Sequence, residues 1–265
     1  MTAEAPTAPT GQSIPLRAFA RSFLRTYLVM ANFNTRGLQN IGLVYAMEPG
    51  LEAIYGPTKE LVAARKRYLK HYNTHPFWTP LLVGVFLTLE YDISRGLFPA
   101  GAFAKLKTTV VYTLSAIGDA FFGGSLLAFW GLTVSSLILT GHTGVALGLG
   151  IVLFLALQAF KLTTFVLGFR RGFKVLHLVK RLDLVNWGWR LKYVNSFLLV
   201  AFWVLAWPEP FVLWQWLALA ATLGLCASVV GRLGLSRESV VGLGLIGYMG
   251  LPWLTRLLGS ALGWD

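Results

Sequence analysis

The chain has 265 residues, 55% hydrophobic and only 13% charged, and its 23 basic and 11 acidic side chains leave a net charge of +12. Soluble domains carry about 25% charged residues, and disordered chains are charge-rich and apolar-poor, so both classes are excluded. The single cysteine, Cys226, rules out an internal disulfide, and the histidines at 71, 75, 142 and 177 stand too far apart for a zinc-ligand set.

Residues 1–13, with Pro6, Pro9 and Gly11, are small and polar and read as a disordered tail, not a secretory signal. Over 14–30, Arg17, Arg21 and Arg25 recur every fourth residue, with Phe19, Phe23, Leu24, Tyr27 and Leu28 largely between them. That pattern predicts an amphipathic helix lying on a membrane surface or packed on a partner. A second charged helix is predicted over 59–70.

Nineteen uncharged residues then separate Lys70 from Glu90, but Pro76 and Pro80 interrupt them. The apolar helix that remains is too short for a hydrocarbon core that needs about 20 residues. A further 11 uncharged residues lie between Lys107 and Asp119. The two pieces are expected to be re-entrant, a backbone path tolerated only inside protein or along a cavity. Residues 120–160 carry no formal charge, and Gly141-His142-Thr143-Gly144 divides them into two expected spans.

Segment 161–192 holds eight basic residues and one acidic one, a local charge of +7. Three more spans are expected at roughly 193–208, 210–231 and 239–258, broken at Pro208-Glu209-Pro210 and between Arg232 and Glu238. With 161–192 placed in the cytoplasm, every basic loop falls on one side, as the positive-inside rule requires. Trp187, Trp189, Trp203, Trp207, Trp214, Trp216 and Trp253 fall near expected span ends, where tryptophan anchors sit. The expected fold is therefore all-α and polytopic, with five full spans, two re-entrant segments and an amphipathic N-terminal region. Residues 14–265 form one membrane-embedded domain in this reading, divided into 14–70, 71–192 and 193–265. The basic excess then faces anionic lipid, not nucleic acid.

Asp119 stands between Ile117-Gly118 and Phe121-Phe122-Gly123-Gly124. A carboxylate there either faces a cavity or partner, as intramembrane charges do, or caps a helix at the membrane surface. Glu90 either leaves the membrane into water or joins such a site. Asn73, Thr74 and His75 precede Pro76 and could hold sugar hydroxyls, or simply form a capping turn. Gln158 and Lys161 share a helix face; Lys161 at a span end would snorkel, which leaves Gln158 as the polar group inside the span. No phosphate loop, catalytic serine order or HExxH pattern is present.

The string Tyr72-Asn73-Thr74-His75-Pro76-Phe77, followed by Gly84-Val85 and Leu89-Glu90, resembles the enzyme IID component of the mannose/fructose/sorbose phosphotransferase system. Upstream, Leu38-Gln39-Asn40-Ile41-Gly42, Tyr45-Ala46-Met47, Pro49 and Tyr55 resemble another stretch of that family. Leu106-Lys107, Gly118-Asp119, Gly144, Gln158, Lys161, Gly168 and Gly172 continue the likeness, which covers about residues 34–175. The chain departs from the family pattern at Gly123, where tryptophan is usual, and at Leu127, where arginine is usual. It departs again at Gln158 and Lys161, which replace asparagine and arginine.

The resemblance implies a non-catalytic subunit of the bacterial cytoplasmic (inner) membrane, with its N-terminus in the cytoplasm. A IIC subunit would share the sugar path, the two assembling as a trimer of IIC–IID pairs, and a separate cytoplasmic IIAB protein would carry the phosphoryl group. No cofactor or metal is implied. Gln39, Asn73, Thr74, His75, Glu90, Asp119 and Gln158 are the expected substrate-path residues. The alternative is a membrane scaffold or sensor that keeps the fold without transport.

Overall fold

Prolines and positive-φ glycines punctuate the chain into helices. The computed structural model describes residues 14–207 and 212–234, together with 236, 238–242, 244–247, 249–250 and 253. The expected N-terminal tail, the Pro208-Glu209-Pro210 break and nine of the twenty residues of the 239–258 span lie outside the described residues. A first unit runs to Ala206 and a second begins at Trp207.

In the first unit, helix α1 (Leu16–Arg25) starts after Pro15 and passes into a 3-10 stretch, Thr26–Asn32. Its apolar side is claimed by the protein itself. Phe19 packs on Phe165 and Phe169 with ring centroids 4.5 and 4.8 Å away, and Phe23 packs on Phe165. The Arg25 guanidinium lies 4.2 Å over the Tyr45 ring and donates to the Tyr45 carbonyl. Leu16, Leu24 and Leu28 remain exposed, so the helix serves both the protein and its surroundings.

Helix α2 (Asn40–Tyr55) ends at Gly56, whose φ is +60°, and α3 (Lys59–Tyr68) follows. Helix α4 (Thr79–Ser94) carries Pro80 in its first turn, where a missing N–H costs nothing. Eleven of its sixteen residues are buried. At about 1.5 Å per residue it is shorter than a bilayer core, and protein encloses most of it.

Helix α5 (Ala100–Gly118), a π-helical segment (Asp119–Leu126) and α6 (Leu127–Leu139) form one unbroken helical run. The expected separation of a re-entrant piece from a span at Asp119 is therefore absent. The π turn absorbs the irregularity that Gly123 and Gly124 permit, and the helix axis continues. Gly141, with φ of +81°, makes the anticipated turn into α7 (Thr143–Arg171). Helices α8 (Val175–Arg181) and α9 (Leu184–Ala206) complete the first unit. Because α7 runs 29 residues, Lys161 lies within the helix and not at its end.

The second unit contains α10 (Leu213–Leu233), closed by left-handed Gly234. Among the described residues, three helical runs are long and apolar enough to cross a membrane: Ala100–Leu139, Thr143–Ala206 and Leu213–Leu233. Their apolar surfaces are mostly exposed, as lipid-facing surfaces are.

The core of the first unit is the crossing of α4 and α7. A Cβ built on Gly84 would lie 2.3 Å from the Phe165 carbonyl oxygen, and one on Gly168 would lie 2.6 Å from the Leu81 carbonyl oxygen. Only glycine allows backbones this close, the mode of packing that membrane helices use in place of large apolar side chains. The Thr88 hydroxyl adds a hydrogen bond to the Phe169 carbonyl. Trp78, Tyr68, Phe86, Phe103 and Phe165 fill the surrounding space.

Candidate functional site

The site begins with a backbone knot. Asn34 and Leu38 exchange both backbone hydrogen bonds, at 2.9 and 3.0 Å. The chain reverses through Leu38, a non-glycine residue at φ +58°, a conformation that costs energy and is kept where surroundings enforce it. Gln39 N–H then donates to the Tyr72 carbonyl at 2.9 Å, and Tyr72 N–H to the Gly37 carbonyl at 3.1 Å. Two segments distant in sequence are thereby tied side by side.

That tie delivers Gln39 to the loop after Tyr72. The buried Gln39 amide donates to Asn73 Oδ1 at 3.0 Å and to the Thr74 carbonyl at 3.1 Å. Its oxygen accepts the Thr74 N–H at 3.3 Å. One glutamine side chain therefore fixes two of the loop's polar residues, Asn73 and Thr74. The Thr74 hydroxyl and the Trp78 indole N–H, both buried, make no hydrogen bond among the described residues.

His75 follows, half-buried in an aromatic nest. Its ring stacks on Phe122 at 5.3 Å and lies beside Phe77 at the same distance. Phe77 N–H donates to Nδ1 at 3.4 Å, which assigns the proton of the neutral ring to Nε2. Gly118 makes room for the imidazole, since a Cβ there would lie 2.4 Å from His75 Cβ. A Cβ at Gly123 would lie 3.9 Å from Nε2, so this glycine leaves open an edge that a large side chain would cover.

Burial holds His75 below its ordinary pKa; the Asp119 carboxylate pushes it up and Lys161 pushes it down. The folded state thus binds the proton more weakly than the unfolded one. The resulting stability is full above the ordinary value of 6.5 and is lost as pH falls from there toward the folded value. His75→Gln is expected to flatten the acid side of a Tm-against-pH curve taken between about pH 8 and 5. An unchanged acid slope in the variant would assign it to other groups.

Asp119 opens the π segment, exposed, with Ser115 Oγ 3.4 Å from its Oδ2. It is not a helix N-cap, because helical backbone continues on both sides. The π segment is locked from α9. Buried Ser125 donates to the Ala120 and Gly188 carbonyls at 3.0 and 3.1 Å, and Asn195 donates to the Ser125 carbonyl at 2.9 Å. Carbonyls displaced from the regular ladder thereby find partners, as buried backbone groups require.

On the other side of Phe77, Lys161 places its ammonium 5.0 Å from that ring and 4.2 Å over Tyr27. It does not snorkel; cation–π contacts hold it inside the protein. Tyr27 also donates to Gln158 Oε1 at 2.6 Å. Phe77 thus bridges the His75 nest and the Tyr27–Gln158–Lys161 cluster.

Glu90 lies elsewhere. Fully buried, it accepts Arg67 Nε at 2.9 Å, a second Arg67 N–H, and the hydroxyls of Tyr55 and Tyr68, each at 2.8 Å. Burial and the Glu90 charge push both tyrosine hydroxyls above their ordinary pKa. This carboxylate neither leaves the membrane into water nor joins the loop; it ties α2 and α3 to α4.

Of the seven expected residues, Gln39, Asn73, Thr74 and His75 come together, Asp119 acts electrostatically on His75, and Gln158 is reached through Phe77. Sequence reasoning missed Tyr27, Phe77, Phe122 and the Ser125–Asn195 lock. Tyr27 and Gln158 are 131 residues apart, and no local pattern reports such a pairing.

The family model for the PTS system mannose/fructose/sorbose family IID component matches residues 14–187. The fructose permease IID component of Bacillus subtilis (strain 168) is 28% identical over 152 residues, 57% of this chain and 54% of that protein. The sorbose-specific EIID component of Klebsiella pneumoniae is 29% identical over 160 residues, 58% of this chain and 57% of that one. The mannose-specific EIID component of Escherichia coli (strain K12) is 30% identical over 106 residues, 39% of this chain and 38% of that one. The matches to the fructose and sorbose components span about half the length of those proteins.

Among solved structures, one described as a membrane protein aligns with a TM-score of 0.66 at 18% identity, over 91% of this chain and 98% of that chain. A chain of the cryo-EM structure of the mannose transporter ManYZ with microcin E492 (MceA) aligns with a TM-score of 0.56 at 19% identity, over 91% and 97%. These likenesses establish a shared helical membrane fold. With the family model spanning the knot, the loop, the π segment and most of the basic region, the chain is a membrane-embedded member of the IID component family of the mannose/fructose/sorbose phosphotransferase system.

Proposed function

We propose that the chain is the IID subunit of a sugar-transporting phosphotransferase complex, building the sugar path together with a IIC subunit. The observation that carries this reading is the convergence of the Gln39-clamped loop 73–75 with Asp119 and, through Phe77, with Gln158 and Lys161. Hydroxyl-rich ligands need several fixed donors and acceptors around one carboxylate, because each unmatched polar group is costly in a site of low polarity. Asp119 supplies the acceptor, and the loop supplies groups whose orientation is already set. Glu90 braces the helices that carry the loop and does not contact sugar.

In this reading phosphoryl transfer belongs to a separate IIAB protein, and the pairs with IIC assemble as a trimer in the bacterial inner membrane. The N-terminus and the basic segment 161–192 face the cytoplasm. Family relatives named for fructose, sorbose and mannose transport support a monosaccharide as cargo.

The test is saturable sugar binding by the purified complex with its IIC partner, across a panel of hexoses and amino sugars. Asp119→Asn is expected to weaken binding by about 10- to 100-fold, the worth of a charge-assisted hydrogen bond, with the complex still assembled. Binding unchanged in the variant would remove Asp119 from the path, and absence of binding across the panel would overturn the reading.

A further inference from the structure

A cavity of about 500 Å³ lies between α3 and α5, lined by Arg67, Lys70, His71, Lys105, Lys107 and Thr109 among others and by none of residues 73–75. No carboxylate lines it. Its volume falls in the range of small-molecule sites.

The charges in it are unevenly satisfied. Arg67 is committed to Glu90 on its far side. Lys107 is only 3% exposed, yet has no ion pair among the described residues. Its ammonium donates to the Arg67 carbonyl at 3.1 Å and lies 5.6 Å from the Tyr68 ring. An ammonium has three donors, and neither contact neutralises its charge. Lys70 and Lys105, both exposed on the rim, add like charge. Burying a cation against other cations is expensive unless an anion completes the site. The Thr108 and Thr109 hydroxyls return their own protons to the helix, at 2.9 and 3.1 Å from the Ala104 and Lys105 carbonyls, so the donors left for a ligand are the cationic groups together with the His71 ring and the Tyr112 hydroxyl.

We propose that this cavity binds a phosphate group, with Lys107 as its buried anchor and Lys70 and Lys105 closing over it. A phosphate is compact, carries up to two charges and accepts several hydrogen bonds at once, which suits ammonium groups converging as point charges. A sugar hydroxyl, being neutral, would leave the three lysines uncompensated. The site shares no lining residue with the proposed sugar path and does not depend on that assignment. Two sources supply this chemistry: a soluble phosphate monoester and the headgroup of an anionic phospholipid.

The experiment uses the full chain, with any membrane partner that co-purifies, in nanodiscs. In one arm the discs are phosphatidylcholine alone, and inorganic phosphate and glycerol 3-phosphate are titrated with 31P NMR as readout. In the other arm the discs contain phosphatidylglycerol, and retained lipid is counted by native mass spectrometry. Saturable binding in the first arm identifies a soluble monoester, and specific retention in the second alone identifies a lipid. Lys107→Met, which removes a buried charge while keeping the volume, is expected to weaken binding at least about tenfold. The surface double variant Lys70→Ala/Lys105→Ala is a second test that leaves the core untouched. Absence of saturable phosphate binding in both arms, or binding unchanged in both variants, overturns the proposal.

Discussion

Arg67→Met is expected to cost about 3–5 kcal/mol of stability, because it strands a fully buried carboxylate. Glu90 has no exposure and accepts hydrogen bonds from Arg67, Tyr55 and Tyr68. With the guanidinium gone, the two tyrosine hydroxyls remain, and neither neutralises charge. The carboxylate must then take up a proton or draw water into a core lined by Tyr68, Phe86 and Phe103. Thermal unfolding of the purified protein in detergent measures the loss. Adding Glu90→Gln to Arg67→Met is expected to recover a large part of it, since the neutral pair leaves no buried charge. A loss below about 1 kcal/mol in the single variant, the range of exposed pairs, would mean that solvent reaches the pair.

The second large effect is expected at the α4–α7 crossing. Gly84→Ala would bring a methyl group 2.3 Å from the Phe165 carbonyl oxygen and 2.9 Å from the Phe169 nitrogen. Both obstacles are backbone, so no side-chain rotation relieves them. Overpacking of this kind costs about 1–3 kcal/mol even where the core can adjust, and Gly84→Leu is expected to abolish the crossing. Gly168→Ala meets the Leu81 carbonyl oxygen at 2.6 Å and is expected to behave alike. Gly148→Ala is the control: on the same helix, with nothing within 4 Å of its added Cβ, it is expected to be neutral or slightly stabilising through helix propensity. Size-exclusion profiles and melting temperatures of the variants separate these outcomes. Equal behaviour of Gly84→Ala and Gly148→Ala would refute the close crossing.

Features written in local chemistry were legible before the fold was known. Composition announced a helical membrane protein. Arginine spacing located α1, a charge run located α3, and Gly141 located the turn into α7. The ordered strings around Gln39 and His75 pointed to one neighbourhood, and hydrogen bonds join them there. What remained hidden depends on partners far along the chain. Glu90 looked like a candidate for water or sugar because its spacing said nothing of Arg67, 23 residues earlier. Lys161 looked like a snorkelling residue because a basic cluster marks span ends on average, whereas Tyr27 and Phe77, distant in sequence, hold its ammonium inside the protein. The expected break at Asp119 failed for a different reason. Adjacent glycines signal either a turn or an altered helix, and the choice was made on α9, where Asn195 donates to the Ser125 carbonyl and the Gly188 carbonyl accepts the Ser125 hydroxyl.

The glycine crossing also has a mechanical meaning. Two backbones in contact at Gly84 and Gly168 can rock about that point with little change in packing. Sliding either helix by one residue would push a Cβ into a gap that only hydrogen fits. The contact therefore behaves as a pin, free in angle and fixed in register. Relative motion of α4 and α7 is therefore expected to be a pivot at this contact and not a shear along it.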